Sequence, residues 1–218
     1  GAVFDLNSNA MRPDTHTSAD AAGLPILPGL VRYDEVAAGR VDHAIRMTVP
    51  VSRTAYVWPA RHQAGSTAST NAPAMGQRFR LKASVKESDF PASVRPIITA
   101  LKTYGAINAD NGSAWFLSGV PDPRWSNDDL ATLRRIPGSS FEAIDASSLM
   151  VSSGSGDGSG IASDRRRRPA SRPNRAPYSR SHVRCFLNCR PACHRPSWPW
   201  HRATNSVIWS SGFLPVPQ

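Results

Sequence analysis

Residues 1–153 read as one α+β domain: a largely antiparallel sheet with a few short helices, followed by a disordered Arg/Pro/Ser-rich tail over 154–218. Three features carry that reading. Several short segments alternate apolar and polar residues with period two, one segment has the 3.6-residue period of an amphipathic helix, and both patterns stop after residue 153.

Taken in chain order, Val3–Leu6 is a short strand candidate. Ser18–Gly23 has a capping serine, good helix formers and a terminal glycine, which suits one or two helical turns. Leu30–Ala38 predicts a second short helix, with Leu30, Tyr33 and Val36 at helical spacing and Gly39 placed to stop it. Asp42–Val49 alternates as a strand, with His43, Ile45 and Met47 on one face and Ala44, Arg46 and Thr48 on the other. Thr54–Trp58 is a further strand candidate ended by Pro59, and Gln63–Met75 is an exposed loop.

Gln77–Ala83 restores strand alternation, with Phe79, Leu81 and Ala83 opposite Arg78, Arg80 and Lys82. The clearest helix runs over Ala92–Tyr104. Val94, Ile97, Ile98 and Leu101 lie at i, i+3, i+4 and i+7, Pro96 sits in the first turn, and Gly105 closes it. The Asn111-Gly112 pair between two apolar runs, Ala106–Ala109 and Ala114–Leu117, predicts a β-hairpin. Asn127–Ile136 predicts a helix capped by Ser126 or Asn127, and Ser140–Ile144 a last strand.

Charge divides the chain at the same place. Of 26 Lys and Arg residues, 15 lie in residues 1–153 against 14 acids, a net of +1; the remainder holds 11 Arg and two acids, a net of +9. The domain therefore lacks the electrostatic footprint of a polyanion binder, and nucleic acid would be held only non-specifically, through the tail. No segment reaches the roughly 20 apolar residues that span a bilayer, so no membrane partner is expected. Nor does the N-terminus read as a signal peptide.

Ser152–Gly160 is a flexible linker by composition. Three readings compete for the rest of the tail. One is a disordered basic arm for anionic surfaces. The second is a metal knot of Cys185, Cys189, Cys193 and His194, whose three-residue gaps depart from the usual two-residue knuckle. The third is the out-of-frame translation of a GC-rich gene, which the abundance of Arg, Pro, Ser, Cys, His and Trp without Lys or Glu would suit.

The stretch Ser18–Glu35, together with Asp42–Arg46, Ala55–His62 and Leu101–Gly119, resembles a family of secreted proteins of soil bacteria. The resemblance covers residues 1–150. It implies an extracellular location and a longer parent protein with a further N-terminal portion, and it assigns no catalytic residue.

The candidate chemistry comes from individual residues. His62, beside Arg61 at a strand end, suits a general base or a substrate-orienting pair. Asp34 and Glu35 are adjacent carboxylates on a short helix. Adjacent side chains diverge, so only one of them could serve in a glycosidase pair, with Asp110 or Asp122 as its partner. His43, on the face of Ile45 and Met47, reads as a hydrogen-bonded core residue. Trp125, in a polar loop with Asp122, is the tryptophan most exposed by pattern and a candidate sugar-stacking platform. Trp58 and Trp115 read as core.

No Gly-x-Ser-x-Gly elbow exists, though Ser118 with His62 and Asp34 remains open as an esterase set. Asn108–Ser113 lacks the acid that a calcium loop requires downstream. No cofactor and no metal are expected in the domain.

The resulting expectation is a fragment of a secreted hydrolase-like protein acting on extracellular polymer, with polysaccharide as the substrate class. Its catalytic residues would be His62, Asp34 and Asp110, and its substrate-binding residues Arg61, Trp125 and Asp122. The alternatives are a non-catalytic carbohydrate- or surface-binding domain and an esterase or lipase-like hydrolase without the serine elbow.

Overall fold

The computed structural model describes residues 2–5, 7–158 and 208–209. The basic-arm, metal-knot and out-of-frame readings of the tail therefore fall outside the described residues.

The domain is α+β, around one mixed sheet. Its strands are β1 (Ile45–Val49), β2 (Arg78–Leu81), β3 (Ala106–Asn111), β4 (Phe116–Ser118) and β5 (Phe141–Ile144), in the order β5-β2-β3-β1-β4. A two-residue strand β6, Ile208–Trp209, pairs beyond β4. β1 runs parallel to β3, and the other four pairings are antiparallel. Three short helices accompany the sheet: α1 (Tyr33–Ala37), α2 (Arg95–Thr103) and α3 (Asn127–Ala131).

α2 forms where the periodicity places it. Pro96 occupies its first turn, where a missing N–H costs nothing, and Ile97, Ile98 and Leu101 are all completely buried. Gly105, at φ +76°, turns the chain straight into β3. A Cβ there would lie 2.3 Å from the Phe79 carbonyl oxygen, so both conformation and space require glycine. At α3 the Ser126 hydroxyl accepts from the Asp129 N–H, which is the predicted cap. The main core joins these helices to Ile45 and Met47 of β1 and Leu81 of β2.

Three predicted elements differ. Val3–Asp5, the described part of the first strand candidate, carries no regular structure and Val3 is exposed, while the nearby backbone pairing is the Ala10–Ser155 bridge. Ser18–Gly23 is a turn and not a helix, because the Ser18 hydroxyl closes it by accepting from the Asp20 N–H and donating to the Leu24 carbonyl. Thr54–Trp58 makes one isolated bridge, Tyr56 to Met75, with another just before it from Arg53 to Thr67.

The hairpin expectation also fails. β1 lies between β3 and β4, so the two apolar runs never pair with each other. The Gly112 N–H donates to Val49, the Thr48 hydroxyl donates to the Ser113 carbonyl, and a Cβ on Gly112 would lie 2.8 Å from that hydroxyl oxygen. Gly112 therefore serves a close approach to the end of β1, while the left-handed residue of the connection is Trp115, at φ +53°.

Residues 154–158, read from composition as linker, return to the N-terminal segment. The Gly156 N–H donates to the Asn9 carbonyl, and the Trp58 indole donates to the Ser155 carbonyl.

Candidate functional site

The turn at residues 18–23 positions the most unusual side chain in the domain. Gly23, at φ +74°, ends the turn against the His16 carbonyl, where a Cβ would approach to 2.6 Å. The turn presents Asp20 to β1. There Arg46, which strand alternation directs away from Ile45 and Met47, donates to Asp20 Oδ1 from Nε at 2.8 Å and from Nη2 at 2.6 Å. Its third donor, Nη1, reaches the Ser118 hydroxyl at 2.8 Å. Asp110 stands close by, with Oδ2 3.5 Å from the same Nη2.

Asp20 is 1% exposed, and its second oxygen, Oδ2, is buried without a hydrogen-bond partner. Leaving a buried acceptor unmade costs about 1–3 kcal/mol. Burial raises the Asp20 carboxyl above its ordinary 3.8; the Arg46 hydrogen bonds and charge pull it back, and the Asp110 charge adds to the rise.

Asp20 and Arg46 line a cavity of about 210 Å³ whose remaining wall is mostly apolar, including Leu24, Pro25, Pro28 and Pro59. The same four residues, together with His43, also line a larger cleft of about 620 Å³, so the two share a wall. The larger cleft adds Phe4, Asp5, Arg32, Glu35 and Asp42.

His43 stands where the two meet. Its Nδ1 lies 2.9 Å from the Ala44 carbonyl oxygen and its Nε2 3.3 Å from Glu35 Oε2. Both ring nitrogens thus face oxygen acceptors. Glu35 is itself held by Arg32, whose backbone N–H donates to Oε2 at 3.0 Å and whose guanidinium donates to Oε1. This cap, in which Glu35 accepts both bonds, fixes the start of α1 and places Glu35 beside His43. The arrangement is a hydrogen-bonded Glu–His pair on the wall of the larger cleft.

Comparisons with protein-family models, with curated proteins and with solved structures returned no match. The site therefore stands on its own geometry.

The sequence-derived candidates are scattered relative to this cleft. The half-buried His62 donates from Nδ1 to the Ala21 carbonyl, and Arg61 donates to the carbonyls of Arg12 and Ser153. Both tie loops together, and neither lines the cleft. Asp34 is 83% exposed and diverges from Glu35 as adjacent helical residues must, pairing with Arg124 at 2.9 Å. Asp122 binds the same guanidinium, which holds its carboxyl down at about 2.

Trp125, expected to be exposed, is partly buried against the core. It packs edge-on to Tyr33 at 5.1 Å, and its indole donates to the Val120 carbonyl. Its polar loop folds back because Arg124 stacks on the Tyr33 ring at 4.2 Å. Of the expected catalytic set only Asp110 approaches the site, through Arg46. Ser118 meets Arg46 and not a histidine, which gives no support to the esterase set.

Asp20 is the residue that sequence reasoning passed over; Glu35 was weighed only as the neighbour of Asp34, and His43 was read as core. For Glu35 the usable signal was its place three residues after Arg32, and for Asp20 it was an acid inside a turn closed by Ser18. Among the described residues no group of three or more His, Cys, Asp or Glu side chains is placed to hold a metal ion. No described helix is long and apolar enough to cross a membrane.

Proposed function

We propose that this chain is part of a secreted hydrolase acting on extracellular polymer, with polysaccharide as the substrate class, and that its chemistry lies at the Glu35–His43 pair and not at His62. The observation that carries this reading is the contact between His43 Nε2 and Glu35 Oε2 on the wall of the 620 Å³ cleft. A hydrogen-bonded carboxylate and imidazole can give a proton to a leaving group and take one from water. The cleft is concave and mostly apolar, with a few convergent polar groups, as ligand sites generally are. The extracellular location rests on the family resemblance.

A second reading, a non-catalytic carbohydrate-binding domain, is favoured by one specific feature. Glu35 already accepts from the Arg32 backbone, the Arg32 guanidinium and His43, which leaves little capacity for a nucleophilic water.

The test is to incubate the full chain with a panel of insoluble polysaccharides and to measure both soluble reducing ends and retention on the polymer. Product release that is lost in Glu35→Gln and in His43→Gln, with retention unchanged, supports the hydrolase. Retention without product from any polymer leaves the binding reading. Absence of both rejects polysaccharide.

A further inference from the structure

Part of the cleft is not held by the core. Residues 8–11 and Gly156 line it, beside side chains from the turn at residues 18–23, α1 and the approach to β1. Residues 8–12 and 152–157 contain no buried residue, and apart from the Ala10–Ser155 bridge between them they join no sheet or helix. Hydrogen bonds link the two segments to each other. The Met11 N–H donates to the Gly154 carbonyl at 3.2 Å, the Gly156 N–H donates to the Asn9 carbonyl at 2.8 Å, and the Asn9 amide donates to Asp157.

The loop at residues 56–61 ties this pair of segments to the body. Arg61 is anchored there, its backbone N–H donating to the carbonyl of the buried Ala22 at 2.8 Å. Its guanidinium reaches both segments at once: Nε donates to the Arg12 carbonyl at 3.0 Å and Nη1 to the Ser153 carbonyl at 2.7 Å. Nη2 lies 3.4 Å from Asp14 Oδ1, which also accepts from the Tyr56 hydroxyl at 2.8 Å. The Trp58 indole adds one bond, to the Ser155 carbonyl at 2.9 Å.

We infer that residues 8–12 and 152–157 form a strap that opens the cleft as one unit, with Arg61 as the clamp that holds it closed. The inference names a regulation of the proposed site, and it rests on the reading of the cleft as the place where ligand is held. Segments with few buried apolar contacts and exposed backbone hydrogen bonds lie at the low end of local stability. Opening this strap uncovers no buried side chain of its own, so its cost is set by the bonds that close it. Bonds from a charged guanidinium are the strongest of these. Because one side chain supplies them to both segments, losing it frees both together. A wall that moves in this way lets a ligand in and then shields it from water.

Two measurements on the full chain test the strap. Amide hydrogen exchange by NMR reads the unit, and modification of His43 by diethyl pyrocarbonate, followed in the tryptic peptide of residues 41–46, reads access to the cleft. In the parent chain the Met11 and Gly156 amides should show equal protection, well below that of Ile98 and Leu101 in the core. Arg61→Met should accelerate exchange at both strap amides by at least about tenfold, since a hydrogen bond to a charged group is worth that much. It should also raise the His43 modification rate severalfold, with Ile98 and Leu101 unchanged. Trp58→Phe deletes only the indole donor and should act in the same direction with a smaller rise; it decides the matter if Arg61→Met fails to fold.

Unequal protection of Met11 and Gly156 in the parent chain overturns the inference. So does exchange that is unchanged in a folded variant, that rises equally at Ile98 and Leu101, or that rises without any change at His43. Neither measurement uses carbohydrate or turnover, so the two readings fail separately. A fixed strap leaves the hydrolase standing, whereas a moving strap without product from any polymer rejects only the hydrolase.

Discussion

Replacing Arg46 by methionine tests the energetic logic of the buried pair. The guanidinium makes two hydrogen bonds to an Asp20 carboxylate that is 1% exposed, and a third to Ser118. Without it the carboxylate has no partner and takes up a proton, because an unpaired buried charge costs several kcal/mol. Protonating a group whose ordinary value is 3.8 at pH 7 costs about 4 kcal/mol, at about 1.4 kcal/mol per pH unit. The variant should therefore lose about 4 kcal/mol of folding stability at pH 7.

The sign of the pH dependence comes from the direction of the shift. Asp20 binds its proton more tightly in the folded chain than in the unfolded one, and Arg46 limits that rise. The associated stability is fully present below about 3.8 and is lost as pH climbs through the folded-state value, which lies higher once Arg46 is gone. The gap between variant and parent should thus shrink on acidification, to below about 1 kcal/mol near pH 4.5. Urea unfolding of both full chains, followed by tryptophan fluorescence from pH 4.5 to 7.5, measures it. Adding Asp20→Asn to the variant should recover part of the loss at pH 7. A deficit under about 1 kcal/mol at pH 7, or the same deficit across the whole range, would refute the argument.

Four further outcomes can be checked separately. Arg124→Ala should return the Asp122 carboxyl from about 2 toward its ordinary 3.8, read by carboxyl-carbon NMR titration. The folded-state value is depressed, so whatever Asp122 contributes is present above 3.8 and is lost as pH falls toward 2. Gly105→Ala should cost more than Gly39→Ala, in urea unfolding. Both sit at positive φ, about 1–2 kcal/mol for a side chain, but only Gly105 has a carbonyl oxygen in the way, Gly39 having nothing within 4 Å. Leu101→Ala removes a completely buried side chain from the α2 face and should cost about 2–5 kcal/mol. His62→Ala should cost about 1 kcal/mol for the lost bond to Ala21, with ligand retention unchanged.

The helix of residues 95–103, the strands at 45–49, 78–81 and 141–144, and the capped turn at Ser126 were legible because each is specified by its own periodicity or cap. The hairpin was not. Asn-Gly chemistry reports local turn preference, and nothing local announces that β1, more than 55 residues earlier, inserts between the two runs. Thr54–Trp58 has strand composition without a neighbour to pair with along its length.

The site escaped for the same reason. Asp20 and Arg46 are 26 positions apart and Glu35 and His43 eight, and neither spacing has a helical or strand period to mark it. His62 and Trp125 drew notice by residue type, yet the fold spends them on the Ala21 carbonyl and the Tyr33 ring. Asp34 and Glu35 were separable in sequence, since adjacent helical side chains diverge, but which of them turned inward depended on Arg32 and His43.

Ligand binding in the cleft between the turn at residues 18–23, α1 and β1 is the central claim, and backbone amide NMR on the full chain tests it most directly. Spectra would be recorded as soluble oligosaccharides of the polysaccharide panel are added. Shift changes concentrated at Asp20, Leu24, Arg32, Glu35 and His43 through Arg46 are predicted. Changes centred on Arg61, His62 and Trp125 instead, with the Asp20 and His43 amides unmoved, would contradict it.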